Sequence, residues 1–178
     1  MLRVAVIFYT ICAGVAVVWC GVAGHPWVFW IGATPDARSV AMGVSGGVLF
    51  GVVVVLLTRA GLRSLRWMQE LADALGQALG PIQWRDAFAL AALSSLGEEM
   101  LFRGALQPSL GWPLATTLFV LVHFPMERRL VPWTLMAGAL GLAFALVTEA
   151  QGHLGFAVAA HFTVNLFNLM EIAPRPSR

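Results

Sequence analysis

The chain has 178 residues, of which 59% are hydrophobic and only 11% are charged. A soluble domain carries about 25% charged residues, so this composition excludes an ordinary soluble globule, a disordered chain and a collagen-like chain. The net charge of +2 is too small to indicate a nucleic-acid partner. The composition therefore predicts a polytopic membrane protein whose residues 1–178 form one domain in the lipid bilayer.

Six apolar segments are candidates for helices that cross the bilayer, which takes about 20 residues. They cover residues 4–24, 40–58, 87–106, 112–124, 130–148 and 153–172. The fourth has only thirteen residues, and we expect it to continue through 127–129 or to lie buried among the other helices. The sequence thus predicts an all-α membrane bundle with about six transmembrane helices.

Residues 60–80 have a different pattern, with apolar side chains on one helical face and charged side chains on the other. This pattern predicts an amphipathic helix that lies in the membrane interface and ends at Gly80-Pro81. A helical connector in the cytosol is an equally good interpretation. In both cases residues 59–85 form a cytoplasmic amphipathic connector between the second and third spans.

The arginines indicate how the bundle is oriented, because positively charged loops stay in the cytoplasm. Arg103 lies within a span, and Arg38 lies on the side of the predicted bundle opposite to both termini. The other nine fall on the side that carries both termini: Arg3, Arg59, Arg63, Arg66, Arg85, Arg128, Arg129, Arg175 and Arg178. This asymmetry predicts that both termini are cytoplasmic.

The second span contains four glycines on neighbouring turns: Gly43, Gly46, Gly47 and Gly51. Small residues let membrane helices approach each other closely. We therefore expect the second span to pack tightly against another helix.

The third span holds three charged residues, Glu98, Glu99 and Arg103. Each charge in the bilayer centre costs about 2.5–3.5 kcal/mol, so the cluster needs compensation and indicates function. Glu99 and Arg103 are four residues apart and can form an ion pair on one helical face. Glu98 is turned about 100° away, which leaves it as a free carboxylate. The alternative interpretation is a structural ion network whose only role is to fix helix packing.

Polar residues on two other spans lie at a similar depth. At 1.5 Å per residue, Glu98 is about 18 Å from the cytoplasmic boundary, and His123 and His161 are about 16 Å and 12 Å from the outer one. All three fall in the middle layer of a core about 30 Å thick. Asn165 lies one helical turn after His161 and on the same face. These positions predict a buried site that water can reach.

A carboxylate and an imidazole can together activate water for hydrolysis, and His161 and Asn165 could donate hydrogen bonds to an oxyanion. This set indicates amide hydrolysis without a covalent intermediate and without a cofactor. Ser94 and Ser95 lack a nucleophile motif, the aspartates lie at span boundaries, and the H-E-x-x-H zinc motif is absent. A metal held by Glu98, His123 and His161 stays open as an alternative.

Three motifs occur in order within residues 94–168: E-E-x-x-x-R at 98–103, F-x-x-x-H at 119–123 and H-x-x-x-N at 161–165. In this order, and in apolar helices, they resemble the CPBP family. This is the family of CAAX-protease and bacteriocin-processing (Abi-type) intramembrane glutamic endopeptidases. The first two spans carry no signal of the family.

The resemblance implies a role for each motif. Glu98 would be the base that activates water, helped by His123. Glu99 and Arg103 would form the pair that supports the site. The third motif, His161 and Asn165, would stabilise the oxyanion.

The resemblance also implies a substrate, namely a protein or peptide in the membrane that is cleaved near its terminus. The compact length and the segment after His123 are similar to the myxosortase-type branch, bacterial members linked to the processing of C-terminal sorting signals on surface proteins. This branch would place the chain in a bacterial inner membrane.

The sequence leaves two other classes of function open. A small proton-coupled transporter could use Glu98, His123 and His161 as a relay, and would have a polar path to both faces or inverted repeats. A catalytically silent membrane scaffold would tolerate Glu98→Gln without a phenotype. The concentration of polar groups at one depth favours the protease.

Overall fold

The computed structural model describes residues 2–25, 27–125 and 127–173. Its helices, in chain order, are α1 (Leu2–Ala23), α2 (Ala37–Ser64), α3 (Arg66–Leu79), α4 (Trp84–Glu99), a π-helix (Met100–Leu106), α5 (Gln107–Leu110), α6 (Trp112–Val122), a 3₁₀ turn (Arg128–Leu130), α7 (Val131–Gln151) and α8 (Gly155–Ile172). Across those ranges the only extended pairing is an isolated β-bridge between Trp30 and His153. The predicted all-α membrane bundle is confirmed.

Three segments are long and apolar enough to cross a membrane by length and composition: Leu2–Ala23, Ala37–Ser64 and Arg128–Gln151. The other long helices, α4 and α8, are less apolar because they carry the polar residues of the candidate site, such as Glu99 and His161, which they bury inside the bundle. Long apolar helices around helices that bury polar residues are the arrangement of an integral membrane protein. Arg175 and Arg178, which support the predicted orientation, lie outside the described residues.

The predicted amphipathic helix is shorter than expected and begins later. Helix α2 continues to Ser64, and extended backbone at Leu65 separates it from α3. Helix α3 then buries Met68, Leu71 and Ala74 on its apolar face. It ends at Gly80, whose φ of 67° lies in the region that glycine adopts most easily. The predicted start at residue 60 was wrong because the apolar pattern of α2 runs into that of α3 without a break.

The fourth predicted span differs most from expectation. Helix α6 ends at Val122 and does not continue through 127–129, and a separate 3₁₀ turn follows at Arg128–Leu130. It is not buried among the other helices either, since Leu121 and Val122 are 60% and 68% exposed. Pro125 explains the early end, because proline disfavours helical backbone at the residue before it and lacks the N–H that a helix needs.

Helices α2 and α8 pack closely through the glycines of α2, as the sequence predicts. A Cβ at Gly47 would collide with the carbonyl of Phe156 and would lie 3.0 Å from Ala159 Cβ. A Cβ at Gly51 would lie 2.7 Å from Thr163 Cβ. The contact surface of α2 thus has no room for side chains, and it holds α8 in a fixed register.

This packing gives a prediction with an internal control. Gly47→Ala is expected to lower the free energy of unfolding by about 1–3 kcal/mol, the usual cost of overpacking. Gly46→Ala should change it much less, because a Cβ there meets only the Phe156 ring at 3.7 Å. Denaturation of the two purified variants in detergent micelles measures the difference. Equal stabilities would contradict the close packing of α2 on α8.

The centre of the bundle is formed by α4, the π-helix and α5, which run on without interruption over 84–110 and are called the central helix below. The central helix contacts α1, α6, α7 and α8. It buries Ser94, Glu98, Glu99 and Arg103. The charged residues that the sequence singles out therefore lie on an element that packs against four other helices.

Candidate active site

The central helix changes from α to π geometry directly after the two glutamates, at Met100. A π-helix widens the turn to an i→i+5 hydrogen-bond pattern and occurs frequently at functional sites. The π segment buries Phe102, Arg103, Gly104 and Ala105. The apolar pattern over 87–106 predicts one regular helix and gives no indication of this change.

Glu99 and Arg103 form the ion pair that their spacing predicts. The guanidinium Nε lies 3.3 Å from Glu99 Oε2, and Nη1 donates to Glu99 Oε1 at 3.3 Å. Nη2 donates to the carbonyl of Gly141 at 2.9 Å. The Glu99 and Arg103 side chains are 0% and 1% exposed. Because the cation donates to two helices at once, it joins the central helix to α7.

Aromatic rings surround the Arg103 cation. Its guanidinium carbon lies 4.2 Å from the ring centre of Phe119 and 5.9 Å from that of Phe144. Cation–π contacts of this kind replace part of the lost hydration. Gly141 completes the pocket, since a Cβ there would lie 2.9 Å from Arg103 Nη2 and 2.8 Å from the Phe119 ring. A glycine in α7 thus makes room for a cation of the central helix.

The F-x-x-x-H motif has a local physical reason. His123 caps α6, and its Nδ1 lies 2.7 Å from the carbonyl of Phe119, which would otherwise be unsatisfied at the helix end. A carbonyl can only accept, so Nδ1 carries the proton. In the neutral ring Nε2 then has a free lone pair, and this atom lies 3.6 Å from Glu98 Oε2. Thr134 of α7 donates to the His123 carbonyl at 2.6 Å and holds the cap in place.

His161 contacts both carboxylates, which the sequence does not predict. Its Nδ1–H donates to Glu99 Oε1 at 2.8 Å. Its Nε2 lies 3.9 Å from Glu98 Oε2. Glu99, which the sequence pairs only with Arg103, therefore also orients His161 of the third motif.

Asn165 contacts Ser94, a residue that the sequence presents only as a poor candidate for a nucleophile. Asn165 Nδ2 donates to Ser94 Oγ at 2.9 Å, and the buried Ser94 hydroxyl donates in turn to the carbonyl of Ala91 at 3.3 Å. Ser94 lies four residues before Glu98 and hence on the same helical face. That spacing was the available signal that Ser94 belongs to the site.

Glu98 Oε2 is the point at which the predicted residues meet. It lies between the two Nε2 atoms of His123 and His161, and the Glu98 residue is only 8% exposed. Among the described residues this oxygen has no hydrogen-bond partner. No group of three or more His, Cys, Asp or Glu side chains within those ranges is arranged to hold a metal ion. The structure thus brings together one carboxylate oxygen and two imidazoles from three elements.

A family model described as Rce1-like, type II CAAX prenyl endopeptidase, matches residues 80–167. The matched range contains all three motifs and the contacts among them. The chain belongs to the CPBP family of CAAX-type membrane proteases. The match begins at residue 80, so α1, α2 and α3 lie outside it.

Two curated proteins are similar to this CPBP chain. The uncharacterized protein YpbD of Bacillus subtilis (strain 168) is 37% identical over 78 residues, which cover 43% of this chain and 40% of that protein. A protein of Rhodopseudomonas palustris (strain HaA2) named shikimate dehydrogenase (NADP(+)) is 35% identical over 159 residues, which cover 78% of this chain and 54% of that protein. The chain spans about half or less of the length of both relatives. No solved structure matches it.

The dehydrogenase name belongs to the longer relative and does not transfer to this CPBP chain. A dinucleotide-binding domain of the doubly wound type is built on parallel β-strands. The described part of this chain contains helices and one isolated β-bridge. The described residues of this chain therefore form no such domain.

Proposed function

We propose that this chain is an intramembrane glutamic endopeptidase in which Glu98 activates the attacking water. The observation that carries the proposal is the position of Glu98 Oε2, 3.6 Å and 3.9 Å from the Nε2 atoms of His123 and His161. These separations are longer than direct hydrogen bonds. In the proposal, a water that bonds to both groups from the side of this contact completes the site.

In the proposed first step, a water held between Glu98 and His123 attacks the carbonyl carbon of the scissile peptide bond. One water proton moves to the Glu98 carboxylate as the new C–O bond forms, and the carbonyl π electrons move to its oxygen. His123 orients the water through the lone pair on Nε2, since its Nδ1–H is held by Phe119. In the second step the C–N bond breaks, and Glu98 returns the proton to the leaving amine.

The oxyanion of the tetrahedral intermediate would accept hydrogen bonds from His161 and Asn165. Donation from His161 Nε2 requires a proton on each ring nitrogen, with Glu99 accepting from Nδ1. In that state two cations balance the two buried carboxylates, so that no net charge is buried in the bundle. Asn165 would use the amide hydrogen that does not bind Ser94. Such oriented donors act where negative charge develops.

The substrate we propose is a membrane-anchored or membrane-delivered protein that is cleaved near its terminus. A helical substrate must unwind to enter a site at this depth, because its peptide groups are bonded within the helix. C-terminal sorting signals of surface proteins in a bacterial inner membrane fit this requirement, with both termini of the enzyme in the cytoplasm. The residues 59–85 would be its cytoplasmic connector.

The test compares protein termini by mass spectrometry in cells that produce wild-type protein or Glu98→Gln at equal levels. Glutamine keeps the shape of the side chain but cannot accept a proton as a carboxylate does. A small set of membrane or surface proteins is expected to keep an extra terminal segment in the Glu98→Gln cells alone. These proteins would be the substrates.

The matched control is Glu70→Gln, which makes the same change at an exposed residue of α3. Its termini should match those of the wild type. Identical termini in wild-type and Glu98→Gln cells, together with a phenotype on deletion of the chain, would reject the protease. The transporter and scaffold hypotheses would then take its place.

Ser94 gives a second prediction for the same reaction. Ser94→Ala is expected to lower the cleavage rate about fivefold, because Asn165 loses the acceptor that fixes its amide, a hydrogen bond worth about 1 kcal/mol. Ser95→Ala is the matched control: its hydroxyl is equally buried and donates only to the carbonyl of Ala92. Cleavage rates of a reporter made from an identified substrate measure both. Equal rates for the two variants would remove Ser94 from the site.

A further inference from the structure

A cleft of about 480 Å³ lies between α3 and the segment formed by the 3₁₀ turn and the start of α7. Trp67, Asp73 and Gln77 belong to its α3 wall, and Arg128 and Pro132 to the opposite wall. Asp73 and Gln77 are one helical turn apart, so they share a face of α3. The cleft thus joins two elements that are distant along the chain and lies apart from the candidate active site.

The cleft lies at one end of the bundle. Helix α2 ends at Ser64, directly before α3, and α3 contacts the 3₁₀ turn at which the apolar segment Arg128–Gln151 begins. Segments of this length cross the hydrocarbon core, so their shared end lies among lipid headgroups. Trp67 is 46% exposed, and tryptophan is enriched at that level of the membrane. The cleft is therefore within reach of phospholipid headgroups.

Two charges of opposite sign line the cleft without partners. The other charged residues of its walls are paired locally, as Glu70–Arg66 and Arg129–Glu127. In the part of the chain that the structure describes, Asp73 and Arg128 form no ion pair, although both line the same opening. Both residues are exposed. One wall therefore presents a carboxylate and the other a guanidinium, and the space between them is open to a ligand.

This separation of charges selects the ligand by its own charges. A simple anion would be attracted by Arg128 and repelled by Asp73, and a simple cation would meet the reverse. A phosphate accepts two parallel hydrogen bonds from a guanidinium, and a primary ammonium donates N–H groups to a carboxylate. The phosphoethanolamine group has both, joined by two carbon atoms, and therefore matches both walls.

We propose that the cleft binds a phospholipid of the phosphatidylethanolamine type, with its phosphate on Arg128 and its ammonium on Asp73. Trp67, Leu71 and Pro132 supply apolar lining for the glycerol and the first acyl carbons. This lining and the position of the cleft at the end of the bundle favour a lipid over a soluble zwitterion. The inference goes beyond the proposed function and does not rest on it.

Native mass spectrometry of the purified full-length protein, released from detergent micelles, tests the lipid preference. Dioleoyl phosphatidylethanolamine, phosphatidylcholine and phosphatidylglycerol are added separately, and the ratio of lipid-bound to free protein gives an apparent Kd. Phosphatidylethanolamine is expected to bind at least about tenfold more tightly, the effect of one hydrogen bond to a charged group. The ammonium of phosphatidylcholine has no N–H, and phosphatidylglycerol has no cation. Equal binding of the three lipids would overturn the inference.

Two variants test the residues. Asp73→Asn is expected to remove the preference for phosphatidylethanolamine over phosphatidylglycerol, and Arg128→Gln to weaken phosphatidylethanolamine binding about tenfold. The matched controls Asp36→Asn and Arg38→Gln make the same changes at the other end of α2, where asparagine caps the helix as well as aspartate does. Both controls should keep the wild-type preference. An unchanged preference in Asp73→Asn and Arg128→Gln would contradict the assigned contacts.

A soluble competitor separates a lipid from a free zwitterion. Glycerophosphoethanolamine has the same headgroup without acyl chains, and an excess of it should leave the bound lipid in place. Displacement at concentrations near that of the lipid would overturn the assignment to a lipid. Glu98→Gln should bind phosphatidylethanolamine like the wild type, so the result is independent of the test of the protease.

Discussion

The double variant Glu98→Gln/His123→Asn is expected to cleave substrate about as slowly as either single variant. General acid–base residues contribute about 10²–10⁴-fold each when measured alone. Here the carboxylate and the imidazole face each other at 3.6 Å and would act on one water. Activation of this water needs both residues, so loss of either one removes most of the rate gain. The effects of the two changes on the activation free energy should therefore not add.

His123→Asn is chosen because the asparagine amide can still donate to the Phe119 carbonyl, whereas it has no equivalent of Nε2. The measurement is a double-mutant cycle. Initial rates of reporter cleavage are compared for four purified proteins, namely the wild type, the two single variants and the double variant. A double variant slower than both single variants by the product of their effects would mean that the two residues serve independent steps. The control is His25→Asn. His25 is distant from the three motifs along the chain, and its ring bonds to Ser109.

Arg103→Met is expected to destabilise the protein by about 3–5 kcal/mol, because it leaves Glu99 as an uncompensated buried charge. Glu99 is fully buried, so water cannot replace the lost cation. Glu99→Gln/Arg103→Met should recover much of this loss, since removal of both charges of a buried pair is often nearly neutral. The amide oxygen that Glu99→Gln introduces can still accept from His161.

Reversible unfolding in mixed micelles measures these free energies. The control is Arg129→Met, which removes the cation of the exposed pair between Arg129 and Glu127. Exposed pairs contribute about 0–1 kcal/mol. If Arg103→Met cost no more than Arg129→Met, the Glu99–Arg103 pair would not be the support that its burial indicates.

The sequence predicts most of the fold because the cost of burying charges and peptide groups in lipid is large. That cost alone marks the spans and singles out Glu98, Glu99 and Arg103 as residues that need partners. The pairing of Glu99 with Arg103 follows from their spacing on one helix. The close packing of α2 follows in the same way, because glycines repeated on one helical face favour a close contact with a second helix.

What the sequence could not predict depends on contacts between distant elements. The bond from His161 to Glu99 joins residues 62 positions apart, and nothing in either motif specifies which carboxylate the imidazole meets. The π geometry that begins at Met100 also has no signal in residue type, since the composition of Met100–Leu106, which includes Gly104, suits a regular transmembrane helix equally well.

The short helix α6 has a consequence for the supply of the second reactant, water. Its eleven residues span about 16 Å, roughly half of a hydrocarbon core that is about 30 Å thick. Peptide groups that leave a helix at this depth must face protein or water, because lipid offers them no partners. The end of α6 at His123 would thus thin the bilayer locally and bring the aqueous phase to the carboxylate. Hydrolysis should then depend on the lipid as well as on the protein, and a thicker membrane, by resisting that deformation, should slow it.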